Sequence, residues 1–293
     1  MSLSEDVSLA VEGFPEQTDI VIICMIPDVE LAAIRDELNR IGAVFIGCIH
    51  TDQKEERYRL KSKKRDTNIV VTCLGSQSNM DSAITTLSML YRYSPRHIFL
   101  YGIAGGMQKE KYQRGTVVIG SDIVFRKISK VVDDEKYLFE MPPVATTPHG
   151  QIIAREFMTN LPSSAIEQHP KKDWGTFKVV HEKIFTWDLV LDSPTVRDKM
   201  LALDRKLSVV EMEAAGFFKA IHHYKNYFIA RNFNKSGKNG EVDGLIIRGV
   251  SDYAAHKAES DAELFWRKMA ADNASYILMK IIHSMNNDDH SFS

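Results

Sequence analysis

Cysteine is scarce in this chain. Its three cysteines, Cys24, Cys48 and Cys73, are widely spaced and odd in number among 293 residues. Neither a disulfide framework nor a metal site is expected from them, and they suit a reducing compartment. Neither sign of charge is in excess: Lys+Arg number 37 and Asp+Glu 39, for a net charge of -2. That removes the broad basic footprint of a nucleic-acid binder. No apolar run reaches the ~18 residues needed to span a bilayer, and the acidic start lacks the basic-then-apolar order of a secretory leader. The ten histidines show no ligand spacing beyond the adjacent His222-His223. No metal or other cofactor is expected, nor any membrane or nucleic-acid partner, and the reading is a cytoplasmic protein.

What is present is a core-forming chain with 44% hydrophobic residues, enough for a sizeable interior. Residues 1–17 are polar and aperiodic and are expected to be mobile, as are 286–293. Asp19–Met25 is an apolar run of the kind buried on both faces of a parallel sheet. Pro27-Asp28 ends it, and a helix carrying Leu31, Ile34, Leu38 and Ile41 on one face follows. Residues 44–66 read as two strands around the charged stretch 53–65, a solvated hairpin. A strand at 68–73 leads through the turn 75–79 into a helix whose apolar stripe is Met80, Ala83, Ile84, Leu87, Leu90 and Tyr91. A third strand, His97–Tyr101, runs into Gly102-Ile103-Ala104-Gly105-Gly106, read as a glycine turn at a strand end. The spacing is not that of the dinucleotide fingerprint, and no Gly-Lys-Ser/Thr follows to make a phosphate loop.

A further strand covers 115–124. Residues 126–178 are punctuated by proline and read as an insertion with one helix near 151–160. Phe185, Trp187 and Asp188 follow in a strand-turn setting. At 207–216 an apolar strand end runs into Glu211 and Glu213, which bracket Met212. Two carboxylates at a strand mouth are costly to desolvate without partners, although acids at a helix start are also favoured by the helix dipole. After the polar loop 232–243 come the strand 245–250, the segment Arg248-Gly249-Val250-Ser251-Asp252-Tyr253-Ala254, and a final helix from Asp261 to Ser284 with Leu264, Met269, Ile277, Leu278 and Ile281 inward. Strand and helix alternate without a linker-like break. The expectation is an α/β single domain over 18–285, a three-layer α/β/α stack with a mixed, largely parallel central sheet.

Taken in order, Gly102–Gly106, Val210–Ala214 and Arg248–Ala254 resemble the nucleoside phosphorylase superfamily, and within it the nucleosidase branch typified by methylthioadenosine/S-adenosylhomocysteine nucleosidase. The likeness spans roughly 18–125 and 179–283. It implies that Glu213, with Met212, holds the ribose hydroxyls, and that Asp252, beside Ser251, protonates the purine at N7. Glu30 would activate water, and Ile103, Ala104 and Gly105 would line the sugar face. Val190 and Leu191 would pack on the base, unless Phe185 or Trp187 does so. It also implies a homo-oligomer, most simply a dimer.

The chemistry suits these residue types. N-glycosidic cleavage passes through a cationic sugar, so the departing purine must receive a proton, which a carboxyl of raised pKa can give. Glu213 offers two acceptor oxygens to a diol. The bland readings are that Asp252 caps the turn at Ala254 and that Glu30 sits on a helix dipole. A phosphorylase would need a cation clamp for phosphate, yet the positions where one is expected hold Leu100 and Ile103. Hydrolysis of a purine, preferably adenine, nucleoside is therefore expected over phosphorolysis, which would need a site rebuilt on Arg35 or Arg248. A catalytically weak nucleoside-sensing module is the alternative from another class. The pocket for the 5′ substituent is expected in the 126–178 insertion or on a partner subunit.

Overall fold

The computed structural model describes residues 18–50, 54–62, 65–132, 136–162, 164–230, 241–255 and 260–287. The expectations for 1–17, for most of the loop 232–243 and for the last six residues fall outside them. The final helix runs on to Asn287, past the point where a tail was expected.

The strand β1 (Ile20–Cys24) is buried along its whole length. Its residues alternate between two apolar clusters: Ile20, Ile22 and Cys24 join one, Val21 and Ile23 the other. This is the period of two expected of a strand covered on both faces. Helices α1 (Ala32–Arg40), α3 (Pro148–Thr159) and α6 (Asp261–Asn287) supply the first cluster. Helices α2 (Asn79–Tyr93) and α5 (Ala214–Ala230) supply the second. A fully buried aliphatic side chain contributes about 1.5–3 kcal/mol relative to exposure, so these two layers hold the helices to the sheet.

Strands β2 (Val44–His50), β3 (Lys54–Leu60) and β4 (Thr67–Cys73) form one side of the sheet. Beyond β1 lie β5 (His97–Gly106), β13 (Asp243–Asp252), β6 (Val117–Phe125), β11 (Thr176–Thr186) and β10 (Ile166–Gln168), in that order. β12 (Leu207–Glu211) pairs with both β11 and β5, so β5, β13, β6, β11 and β12 close into a ring. β1–β4 and β13–β5 are parallel, whereas β13–β6, β12–β5 and β3–β4 are antiparallel. The fold is α/β with a mixed sheet. The closed ring departs from a simple three-layer stack, because β12 leaves no free edge between β5 and β11.

The region 126–178 holds β7 (Lys127–Val132) and β8 (Lys136–Glu140), paired with each other, the short β9 (Pro143–Val144) on β6, then α3, β10 and the start of β11. The helix is where the sequence placed it. A helix that the sequence reading did not include, α4 (Pro194–Leu203), precedes β12.

Two local expectations are overturned in part. The hairpin expected over 44–66 does form, β2 against β3, but it is not a solvated one: β3 also pairs with β4 and buries Glu55 and Glu56. On α2 the expected apolar stripe is split: Leu90 is buried and Leu87 packs on the core, but the rest of the stripe turns toward the surface. Met80, Ile84 and Tyr91 are exposed, while Asn79, Ser82, Thr85, Thr86, Met89, Leu90 and Tyr93 are buried. Close packing is the reason: a Cβ on Gly216 of α5 would lie 1.8 Å from the Asn79 carbonyl oxygen, so the facing side chains must be small or hydrogen-bonded.

Candidate active site

The site lies where strand β5 changes partners. Up to Leu100 it pairs with β1, and from Gly105 with β12. Open α/β sheets place ligands at such forks, beyond the carboxyl ends of their strands. Glu30 fills the fork. Its Oε2 accepts from the amides of Met25 (2.7 Å) and Ile26 (3.1 Å) at the end of β1, and its Oε1 from the amide of Ile103 (2.9 Å) on β5. These are N–H groups that no neighbouring strand reaches, and a buried carboxylate satisfies them.

The segment Gly102–Gly106 is therefore strand and not turn. None of its glycines adopts positive φ; they serve close approach. Gly102 stands in register with Arg248, and a Cβ there would lie 2.3 Å from Glu30 Oε1 and 2.5 Å from Arg248 Nη1. Gly105 stands opposite Asp252, and a Cβ there would meet Asp252 Oδ1 at 3.0 Å.

Arg248 is buried in the middle of β13 and holds two carboxylates with one nitrogen. Its Nη2 donates to Glu211 Oε2 at 2.6 Å and Glu213 Oε2 at 2.8 Å. Glu211 turns back to cap the start of α5, accepting from the amides of Glu213 and Ala214. Glu213 Oε2 also takes the Met212 amide at 3.3 Å. Its Oε1 has no protein partner among the described residues. With Glu30 close by, three carboxylates share one guanidinium. Burial, reinforced by Glu211 and Glu30 and opposed by Arg248, raises Glu213 to about 8. Burial likewise raises Glu30, against the pull of Arg248 and of the three backbone N–H groups.

In front of this cluster opens a cavity of about 650 Å³, within the size range of small-molecule sites. Ile103, Ala104, Gly105, Val190, Leu191, Met212, Glu213, Ser251 and Asp252 all line it. Four segments far apart in the chain are thus brought together as expected. Glu30 lies just behind the wall: it is 1% exposed, and two of its hydrogen-bond partners, Ile26 and Ile103, are lining residues. Asp252 accepts from the Ala254 amide (2.8 Å) and the Ser251 hydroxyl (2.8 Å). It therefore does cap the turn, with Ala254 at φ 52°, while also facing the cavity. Phe185 and Trp187 do not line it; they pack behind its wall, with Leu191 and Met200.

The residues considered for a rebuilt phosphate clamp are committed elsewhere. Arg248 serves the two glutamates, and Arg35 pairs with Glu56 at the other side of the sheet. None of the described lining residues comes from 126–178. The remaining wall comes instead from Gln77, Leu189 and the start of α6, where Ser260, Glu263, Leu264 and Arg267 face the cavity. The sequence reading had Leu264 pointing into the core and did not single out the other three.

The chain is similar to known proteins along most of its length. The chain is 24% identical over 260 residues to the 5′-methylthioadenosine/S-adenosylhomocysteine nucleosidase of Psychromonas ingrahamii, covering 88% of this chain and 96% of that one. Its fold is similar to that of futalosine hydrolase from Helicobacter pylori (TM-score 0.62, 16% identity, 91% of this chain and 98% of that one). It is equally similar to the 5′-methylthioadenosine/S-adenosylhomocysteine nucleosidase of Neisseria meningitidis in complex with methylthio-immucillin-A (TM-score 0.62, 17% identity, 91% of this chain and 99% of that one). A family model described as the phosphorylase superfamily matches residues 19–283, and the chain belongs to that superfamily.

Proposed function

We propose that this protein is a purine nucleosidase that hydrolyses the N-glycosidic bond of an adenine nucleoside to free base and sugar. The observation that carries the proposal is the convergence of Asp252, Met212-Glu213 and Ile103–Gly105 on one cavity backed by the Glu30–Arg248–Glu211–Glu213 cluster. The similarity to methylthioadenosine/S-adenosylhomocysteine nucleosidases supports the same substrate class.

In this reading the base lies against Leu191 and Val190 with N7 at Asp252, and the ribose diol meets the open Oε1 of Glu213. The bond from C1′ to the base breaks with its electron pair passing to the purine, and Asp252 delivers a proton to N7. Water adds to the oxocarbenium carbon, and its proton passes to Glu30. Burial makes Glu30 a stronger base than an ordinary carboxylate. The carboxyl oxygens gathered around Arg248 favour the cationic sugar in the transition state. Water is preferred over phosphate as nucleophile because Arg248 is already held by two carboxylates.

The test is incubation with methylthioadenosine, S-adenosylhomocysteine, adenosine, inosine and AMP, each with and without phosphate, following free base and sugar. Phosphate-independent release of adenine is expected, falling about 10²–10⁴-fold in Asp252→Asn, the size of a lost general acid. Release only with phosphate would overturn hydrolysis. Binding without release would make the protein a sensor.

We also read the protein as a homo-oligomer. Exposed Met80 and Ile84 on α2 and exposed Leu189 and Val190 at the cavity rim support this. Met80→Glu is expected to lower the sedimenting mass, and an unchanged monomer mass in both forms would refute it.

A further inference from the structure

The wall contributed by α6 carries information about the substrate that the base and sugar contacts do not. Glu263, Leu264 and Arg267 follow i, i+1, i+4 spacing on one face of α6, Ser260 caps that face by accepting from the Glu263 amide, and all four line the cavity. A helix stripe turned toward an interior is ordinarily apolar; here only Leu264 is. A substrate ending in a small apolar group would bury little against such a wall and would leave its polar groups to water.

The two charges on this wall are not equivalent. Glu263 is already paired: Arg114 Nη2 donates to it at 2.6 Å, and Arg114 is itself held over the rings of Tyr253 and Trp266. Arg267, one turn further along, is half-buried and makes no ion pair or hydrogen bond among the described residues. Its guanidinium has five donors and no acceptor among the described residues, in a cavity whose other described acids are engaged by Arg248, Arg114 or backbone. On the nucleosidase reading, with the base at Asp252 and the diol at Glu213, the 5′ arm is the part of the substrate left for the wall that Gln77, Leu189 and α6 supply.

Building on the nucleosidase reading of this site, we propose that Arg267 recognises an anionic group on the 5′ arm of the substrate, a carboxylate or a phosphate, and so determines specificity. The preferred substrates are then adenine nucleosides with a charged 5′ tail, in place of those ending in a neutral hydroxyl or methylthio group.

The test compares wild type with Arg267→Gln and Arg267→Lys on four substrates: S-adenosylhomocysteine (carboxylate), AMP (phosphate), and the neutral methylthioadenosine and adenosine. Wild type should favour at least one anionic substrate. In Arg267→Gln the anionic-to-neutral ratio of kcat/KM should fall at least tenfold, chiefly through KM, with Arg267→Lys restoring part of it. Added salt should weaken the anionic substrate in wild type more than in the glutamine variant. Which of the two anionic substrates loses more identifies carboxylate or phosphate. A ratio unchanged by Arg267→Gln, or an equal loss on all four, overturns the proposal. So does stimulation by inorganic phosphate that vanishes in Arg267→Gln, which would assign the arginine to phosphorolysis. If wild type releases base from none of them, the nucleosidase reading fails by itself. The same ratio is then read as thermal stabilisation by AMP or S-adenosylhomocysteine against adenosine, where loss of the difference in Arg267→Gln upholds the anion site and its persistence refutes it.

Discussion

Two of the places where the molecule buries carboxylates, the β3 side of the sheet and the fork of β1 and β5, differ in their count of cations. At the β3 side of the sheet, Glu55 is held by Arg92 and the Tyr93 hydroxyl. Glu56 is held by Arg35, Lys54 and the Tyr58 hydroxyl. Although burial alone would raise Glu56, the hydrogen bonds from Arg35 and Tyr58 bring it below the ordinary carboxylate value. At the fork of β1 and β5, three glutamates share Arg248, and burial prevails: Glu213 rises to about 8 and Glu30 rises too. Buried charge is therefore not what distinguishes a site. A deficit of counter-charge beside a cavity is, since that energy can be relieved by a cationic transition state.

Removing the shared cation should separate the two clusters most sharply. Arg248→Met leaves buried carboxylates uncompensated, at about 3–5 kcal/mol, which is a fall of roughly 10 °C in Tm for a chain of this size. Base release should fall at least 100-fold with it. Arg92→Met, whose arginine is 41% exposed, should cost only about 1–2 kcal/mol, because water replaces part of the lost partner, with kcat/KM kept. Thermal melts and kinetics on both variants decide the matter. Equal losses would erase the distinction.

A smaller effect is expected where the backbone approaches the cluster. Gly102→Ala drives a methyl group between Glu30 and Arg248, an overpacking cost of about 1–3 kcal/mol. It should also displace the amide of Ile103, so both Tm and kcat should fall. A variant of wild-type activity would mean that the fork relaxes freely.

The pH dependence should carry opposite signs in the two places. Glu213 holds its proton up to about pH 8 in the folded chain but only to about 4.3 when unfolded. Between those values the native state binds the extra proton, so stability falls as pH rises through this window. Glu56, depressed in the folded state, contributes stability that is present above pH ~4.3 and is lost as pH falls below it. Tm measured from pH 3 to 9 should show both limbs. Glu213→Gln should flatten only the upper one and Glu56→Gln only the lower. A common slope would refute the assignment.

The smallest expected effect is Tyr58→Phe, which removes a 2.8 Å hydrogen bond to Glu56. It should cost about 0.5–1.5 kcal/mol without altering base release. A change in kcat/KM would connect the two clusters in a way their separation does not suggest.

Much of this arrangement was legible in the chain. Apolar runs such as Ile20–Cys24 and Leu245–Ile247 admit few readings other than buried strands, and the spacing of Leu31, Ile34 and Leu38 marks the burying face of a helix. Met212-Glu213 and Asp252 drew attention because carboxylates at strand ends need partners. Part of the stripe on α2 departs from its periodicity because periodicity does not register how closely two backbones approach, and Gly216 against Asn79 decides that contact. The glycines at 102–106 look like a turn in the sequence because local sequence does not reveal the side chain that passes over them.

The residues by themselves determined the α/β class, the buried strands outside 126–178 and the acids at their ends, since each follows from local periodicity and desolvation cost. Only the tertiary structure decided that β12 closes a ring against β5, that Arg248 is shared among three glutamates, and that α6 turns Arg267 toward the cavity. Those depend on contacts between segments up to ~240 residues apart, and pairings across such distances are set by the packing of the whole sheet and not by any local run of sequence.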